Sequence, residues 1–402
     1  MKVALVGNMN NNNFSLFRYL RDAGIDTYLL LYNNELEHFF PENDSWFVEQ
    51  HKPYIVQTDL QNSERGVLLS SKNKIAATLK GYDVFIGSGI TPAYFAKIGK
   101  KLDLFYPYAI GIEFYQRKMN FLRPNDLAKI PARWLQKKGL KNTKICIISN
   151  VMEHETVKSY ASLSIQPIPL NIPMVYNKET LDSKDVPEKL NKVLERFKEY
   201  DKVIFSHVTH RWDFEDNDGI NYKMSNINRR NDKLIHGFGE FQKTSTAKNL
   251  LVMSEYGPDV PQSKAIVKAL GIENNVLWLP VLGRKELMLL MQQAHLCVGE
   301  LGEAGTWGGA TWEFLASGKA VINRYKIEAN EYQKQMGIPF PPLLNITTAN
   351  DIANILGDLE KHPEKYITIG KQSKDWFDTY NGQSLTKNYV ELIHKAFQSR
   401  AK

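Results

Sequence analysis

With 402 residues, the chain exceeds what one ordinary hydrophobic core organises and suits two α/β domains of similar size. Its 43% apolar and 24% charged residues exclude disordered and fibrous classes, and its net charge of +7 is concentrated in one stretch. Two cysteines, Cys146 and Cys297, sit inside apolar runs, which leaves no disulfide framework and predicts a reducing compartment. No apolar stretch reaches the roughly 18–20 residues of a membrane span. The opening MKVALVG is too short for a signal sequence and runs into polar asparagines, so the expected location is cytoplasmic.

The first half alternates short apolar runs with helical patterns. KVALVG (2–7) reads as a strand, followed by the polar loop NMNNNN and an amphipathic helix over 14–24 that Gly24 closes. Further strands are expected at 26–32, 83–90, 104–111 and 144–150, with helices at 91–102 and 152–160. From 165 to 181 the pattern gives way to a proline-spaced connector, IQPIPLNIPMVYNKETL. The rhythm then restarts, with strands at 202–207, 249–255, 275–281, 295–300 and 319–324. Helices are expected at 232–243, 259–270, 284–293, 309–317 and 349–359, and a last helical stretch, 363–398, breaks at Asn381-Gly382. The fold class is α/β: two Rossmann-like, doubly wound domains. The expected division is 1–170 with the C-terminal helix 383–402, a linker at 171–181, and a second domain at 182–382.

Between Arg117 and Lys144 lie nine Lys/Arg against one acid, Asp126. Such a patch meets an anionic membrane, a nucleic acid or only water. Leu127, Ile130 and Trp134 fall on one helical stripe among these cations, which favours a membrane surface, while Pro131 breaks that helix or begins a second one. No nucleic-acid-binding motif accompanies the patch, so no nucleic-acid partner is expected.

The most informative stretch is GELGEAGTWGGATWEFLASGKAVI (299–322). A strand runs into a glycine-bearing loop and then a helix carrying Glu313. Glycines let backbone N–H groups approach an anion, and the helix N-terminus adds roughly half a positive charge. A diphosphate fits that loop, and Glu313, one turn into the helix, suits a ribose diol. The stretch resembles the donor site of the GT-B glycosyltransferases, in particular glycosyltransferase family 4, whose Glu-Ala-x-Ala-x-Gly-x-Pro-Val pattern WEFLASGKAVI (312–322) follows. Other segments extend the resemblance. PIPLNIP (167–173) is similar to the family's extended link, and KVIFSHVTHRWDF (202–214) to the strand and loop bearing a phosphate-binding arginine. NRRNDKLIHGF (228–238) is similar to the segment bearing a second phosphate-binding cation, and IENNVLWLPVLGRKEL (272–287) to the one that frames the base.

The resemblance implies two domains facing a cleft, with the C-terminal helix crossing back to the first. It implies transfer of a hexose from a UDP- or GDP-linked donor to a hydroxyl of a glycan or lipid-linked acceptor, with retention and without metal or other cofactor. The expected setting is bacterial surface polysaccharide, lipopolysaccharide or capsule assembly, peripheral on the inner face of the cytoplasmic membrane. Arg211, with Arg229 or Arg230, would clamp the diphosphate. Glu303 stands for the family's upstream acid, although nine residues separate it from Glu313 where the family has seven. Gly305, Thr306, Trp307, Gly308, Gly309, Glu313, His207, His210 and Asn8 complete the expected donor contacts. The family's reacting-centre histidine has no counterpart in YPYAIGIEF (106–114), where Glu113 is the nearest catalytic carboxylate. Two metal-like patterns, Asp216-Asn217-Asp218 and His207/His210/Asp213, are read as a polar loop and as donor contacts, so no metal is expected. A sugar-nucleotide epimerase and a non-catalytic nucleotide- or nucleic-acid-binding module are the alternative functions.

Overall fold

The computed structural model describes residues 1–107, 129–149, 154–215, 228–303 and 307–399. It divides into two compact units, Met1–Glu179 with Tyr380–Lys402, and Thr180–Thr379.

In the first unit β1 (Lys2–Val6), β2 (Asp26–Leu31), β3 (Ile55–Gln57), β4 (Val84–Gly87), β5 (Leu104–Phe105), β6 (Ile145–Ile148) and β7 (Ile168–Pro169) form one parallel sheet. The strand order is β3-β2-β1-β4-β5-β6-β7. Val3 and Leu5 join one face with Phe14, Phe17 and Leu20, whereas Ala4 and Val6 join the other with Tyr32, Phe85 and Tyr94. Both faces of the central strand are covered, which is why its sequence is apolar throughout instead of alternating. Helices Asn12–Asp22 and Gln383–Gln398 pack on the first face, the latter through Leu385, Tyr389 and Ile393. The Tyr389 hydroxyl donates to the Asn171 carbonyl at 3.1 Å, so the end of the chain is fastened to the first unit. The break expected at Asn381-Gly382 separates this helix from Pro363–Tyr380.

The second unit repeats the design with β8 (Lys202–Ser206), β9 (Asn249–Ser254), β10 (Val276–Leu279), β11 (Leu296–Val298), β12 (Ala320–Asn323) and β13 (Leu343–Asn345). The order is β10-β9-β8-β11-β12-β13, again parallel throughout. Each sheet reverses direction beside its first strand, between β1 and β4 and between β8 and β11. At such a switch point the outgoing loops diverge and leave room for a ligand at the carboxyl edge.

The alternating strand–helix order is as the sequence predicts, with four differences of detail. The short strands β3, β7 and β13 carry too few residues to show a period. Helices Glu64–Leu69, Lys72–Thr78, Glu188–Phe197 and Ala329–Met336 were not anticipated. The strand expected over 104–111 ends at Phe105. Residues 171–179 bind the first unit, with Tyr19 donating to Asn177 Oδ1 at 2.9 Å and Arg18 paired to Glu179 at 2.7 Å, so the change of unit falls at Thr180. Pro131 begins a helix, Ile130–Asn142, where its missing N–H costs nothing. Among the described residues no helix is long and apolar enough to cross a membrane.

Candidate nucleotide site

The carboxyl edge of the second sheet gathers charged side chains from four segments. Backbone bonds fix their spacing: Arg229 N–H donates to the Arg211 carbonyl (2.9 Å), Leu301 N–H to the Arg229 carbonyl (3.2 Å), and Arg324 N–H to the Glu300 carbonyl (2.9 Å). The segments that follow β8, β11 and β12 are thereby strapped together at the switch point.

Glu313 projects from helix Gly309–Ala316 and is buried. Arg284 Nε, at the start of helix Arg284–Met291, donates to Glu313 Oε1 at 2.6 Å. His207, the first residue after β8, brings Nε2 to 2.9 Å from Oε2, close but without hydrogen-bond alignment. Burial raises the Glu313 pKa, but the Arg284 charge and His207 overcome it and hold the carboxyl at about 2. A buried carboxylate kept ionised this way retains lone pairs for ligand hydroxyls.

Glu300 is also buried. It accepts the Gly308 N–H and the Thr311 hydroxyl, each at 3.0 Å, with Arg229 Nη1 3.7 Å away. A Cβ on Gly308 would run into this carboxylate. The N-terminus of the Gly309–Ala316 helix, expected to cradle a diphosphate, is thus occupied by the chain's own acid.

Glu303 meets Lys326 at 3.2 Å, Arg324 at 3.3 Å and Lys233 at 3.4 Å. Burial again opposes ionisation, and hydrogen bonds from Arg324 and Lys326 outweigh it, lowering the pKa to about 2. Lys233 is itself buried, and desolvation, with the neighbouring Arg230 charge, lowers its pKa. Its ammonium also donates to the Leu301 carbonyl at 3.3 Å.

The structure separates the two arginines left open by the sequence. Arg230 takes φ +52° at the start of helix Asn231–Gln242 and folds its guanidinium back on Asp232 at 2.9 Å. Arg229 is the one directed toward Glu300. Arg211 lies exposed on the adjoining loop.

Three expected donor contacts do other work. His210 is buried against the Trp278 ring (5.4 Å), with Nδ1 2.8 Å from Ser263 Oγ, and burial lowers its pKa to about 4. It does not converge with His207, whose partner is Glu313. Trp307 is buried among the rings of Trp312, Tyr332 and Phe340. Asn8, in the first unit, spends its amide on its own chain. Its Oδ1 accepts the Phe14 N–H at 2.9 Å, and its Nδ2 donates to Asn11 Oδ1 at 2.7 Å and to the Phe39 carbonyl. Gly309 is the first residue of the Glu313 helix. Glu113, Gly305, Thr306 and Asp216-Asn217-Asp218 lie outside the described residues. Among the described residues no group of three or more His, Cys, Asp or Glu is placed to hold a metal ion.

Sequence reasoning missed Arg284, Lys233, Glu300, Arg324 and Lys326. A positional signal exists for two of them: Glu300 and Arg324 stand within two residues of the ends of β11 and β12, the edge where ligands of doubly wound sheets bind.

With this geometry established, solved structures place the fold. HepE of Anabaena, in complex with UDP, superposes with a TM-score of 0.61 at 13% identity, covering 98% of this chain and 100% of that one. Sucrose-phosphate synthase from Thermosynechococcus elongatus gives 0.60 at 15% identity, covering 99% and 100%. A putative UDP-N-acetylglucosamine 2-epimerase from Listeria monocytogenes gives 0.60 at 13% identity, covering 99% and 97%. The fold is GT-B. Its solved neighbours are glycosyltransferases and UDP-N-acetylglucosamine 2-epimerases, and at these identities the likeness speaks for the fold alone. No protein-family model matches the chain, and no curated protein matches it in sequence.

Proposed function

We propose that this chain is a glycosyltransferase that moves a hexose from a UDP- or GDP-linked donor to a hydroxyl of a glycan or lipid-linked acceptor. The observation that carries the reading is Glu313, buried yet held ionised by Arg284 and His207 at the β8/β11 switch point, beside a cluster of cations. In this reading the carboxylate accepts the hydroxyls of a ribose. In the same reading Arg229, Lys233 and Arg324, which now face Glu300 and Glu303, balance a diphosphate, and the HepE neighbour, crystallised with UDP, supports the same class of ligand.

In this reading the bond between sugar C1 and the diphosphate oxygen breaks, and the electron pair leaves with the diphosphate. Fixed cations stabilise that charge as it develops, with no reorganisation at the moment of reaction. Arg211, exposed on the adjoining loop, joins them when donor binds. The acceptor oxygen bonds to C1 and releases its proton, for which Glu113 is the proposed carboxylate. The reading keeps retention and metal independence. Helix Ile130–Asn142 presents Ile130, Trp134, Lys138 and Lys141 on one exposed face, with Lys138 4.9 Å from the Trp134 ring centroid. An apolar stripe among cations suits an anionic membrane surface and a lipid-linked acceptor, as in bacterial surface polysaccharide assembly. Vesicle flotation tests it: equal recovery with neutral and anionic lipid would remove this part of the reading.

The deciding experiment is thermal stabilisation by UDP, GDP, ADP and CMP, with Glu313→Gln as control. A shift with one diphosphate, lost in the variant, supports the donor site; no shift with any nucleotide overturns it. The Listeria neighbour favours epimerisation as the second reading. Incubating the donor sugar without acceptor separates the two, because an epimerase returns an isomerised nucleotide sugar and a transferase leaves it unchanged.

A further inference from the structure

Two carboxylates of the second unit stand where an anion belongs. Glu300 takes the Gly308 N–H and Thr311 hydroxyl at the start of the eight-residue Gly309–Ala316 helix, with Arg229 beside it. Three residues on, Glu303 sits among Lys233, Arg324 and Lys326, with no contact shorter than 3.2 Å and a third of its side chain exposed. Among the described residues five cations (Arg229, Arg230, Lys233, Arg324, Lys326) face three carboxylates (Glu300, Glu303, Asp232) in these pairs, an excess of two positive charges before the helix terminus is counted. The two acids are joined to one strapped loop, since the Arg324 N–H donates to the Glu300 carbonyl and the Lys233 ammonium reaches the Leu301 carbonyl.

We propose that Glu300 and Glu303 are resident counter-ions. In the free protein they fill two adjacent anion seats, and the two phosphates of a nucleoside diphosphate take those seats by displacing them. The inference rests on the nucleotide-sugar reading and deepens it. Its physical basis is the cost of an empty seat: a buried ammonium and the open donors of a helix N-terminus are expensive to leave unpaired. A carboxylate from the chain satisfies them until the ligand arrives. Displacing both carboxylates takes two phosphates, whereas a monophosphate displaces at most one. Each displaced carboxylate also lowers ligand affinity by the pairing it gives up.

The test is calorimetric titration of the whole chain with UDP, UMP and inorganic pyrophosphate, in wild type, Glu300→Gln and Glu303→Gln, beside thermal unfolding without ligand. Glutamine keeps an acceptor for Gly308 and removes the charge. Each variant should melt below wild type when free, yet bind UDP and pyrophosphate about tenfold tighter. Its preference for UDP over UMP should hold or grow, because a monophosphate displaces at most one of the two carboxylates. Pyrophosphate carries no sugar, so a gain there is not explained by a role of Glu303 in reading sugar hydroxyls. If both acids merely scaffold the loop, stability and affinity fall together, and that result overturns the proposal. Wild type that binds UDP, with variants that bind it no tighter, removes the counter-ions and leaves the nucleotide reading standing. If no form binds UDP or pyrophosphate, both fall. Should Glu300→Gln fail to fold, the more exposed Glu303→Gln carries the test alone.

Discussion

The two sheets have the same strand order through their first six strands and the same kind of switch point, yet their carboxyl edges are made of different chemistry. In the first unit the loop after β1 is a run of asparagines whose amides bind one another and the backbone. Asn8 serves Phe14, Asn11 and Phe39, while Asn13 serves the Val6 and Gly7 carbonyls and accepts from Tyr106. Glu35, in the loop after β2, accepts the Asn8 N–H at 2.8 Å, and burial raises its pKa. In the second unit the corresponding edge holds ionised carboxylates against a surplus of cations. The amides of Asn8 and Asn13 are committed to the protein, whereas the second edge is built of charged pairs. The same topology therefore carries an amide-rich edge in one unit and a charged edge in the other by side-chain choice alone.

The sharpest way to break that comparison is to remove charge from the second edge. Glu313→Gln removes the carboxylate charge that Arg284 Nε meets at 2.6 Å, which costs about 3 kcal/mol of stability. Transfer activity should fall about 100-fold, and stabilisation by UDP should vanish. Retained UDP stabilisation in a folded Glu313→Gln protein would take this carboxylate out of the site.

Next in size is a steric change on the same edge. A Cβ on Gly302 would run into the Asn228 carbonyl, a backbone atom with little freedom to retreat. Gly302→Ala should cost about 2–3 kcal/mol and loosen the strap between the 228–230 and 300–303 segments. Urea unfolding measures the first effect. UDP affinity reads the second, and an unchanged affinity would show that the strap does not position the cations.

The first edge supplies the contrast. Asn8→Ala removes the acceptor for the Phe14 N–H and two donors to the loop, a loss of about 1–2 kcal/mol. UDP affinity should remain within about twofold, because the amide is already committed to the protein itself. A tenfold loss of affinity without unfolding would mean that Asn8 reaches the ligand after all, as the sequence alone suggested.

That prediction marks how far the sequence was legible. Apolar runs bounded by turn residues located the longer strands of both sheets, and the glycine-bearing loop with its following helix located Glu313. What the sequence hid is pairing across distance. Arg284 and Glu313 lie in separate segments, and only the sheet's strand order brings their side chains to 2.6 Å. His210 and Asn8 show the converse case. Polar residues in a carboxyl-edge loop look available in one dimension, while burial and local hydrogen bonds had already used them. Arg229 and Arg230 were interchangeable as letters, and the backbone separated them, since the residue at φ +52° turns its side chain onto Asp232.

The remaining contrast is the response of the second unit to acid. The His210 ring is buried beside Trp278, and its pKa falls from 6.5 to about 4 chiefly because burial disfavours the imidazolium. Between these values the unfolded chain binds a proton that the folded chain refuses, so this contribution to stability is complete above about pH 6.5 and is lost as pH falls toward 4. Glu313 acts in a lower window, its contribution present above pH 4.5 and lost as pH falls through about 2. Unfolding free energy measured against pH should therefore lose one proton's slope, about 1.4 kcal/mol per pH unit, between pH 6.5 and 4 in His210→Gln, and below 4.5 in Glu313→Gln. His51 of the first unit, also lowered to about 4 by burial and the Arg18 charge, supplies the matching slope there. If His210→Gln leaves the upper window unchanged, the imidazole is not buried as a neutral group, and His210 returns to the set of side chains open to a ligand.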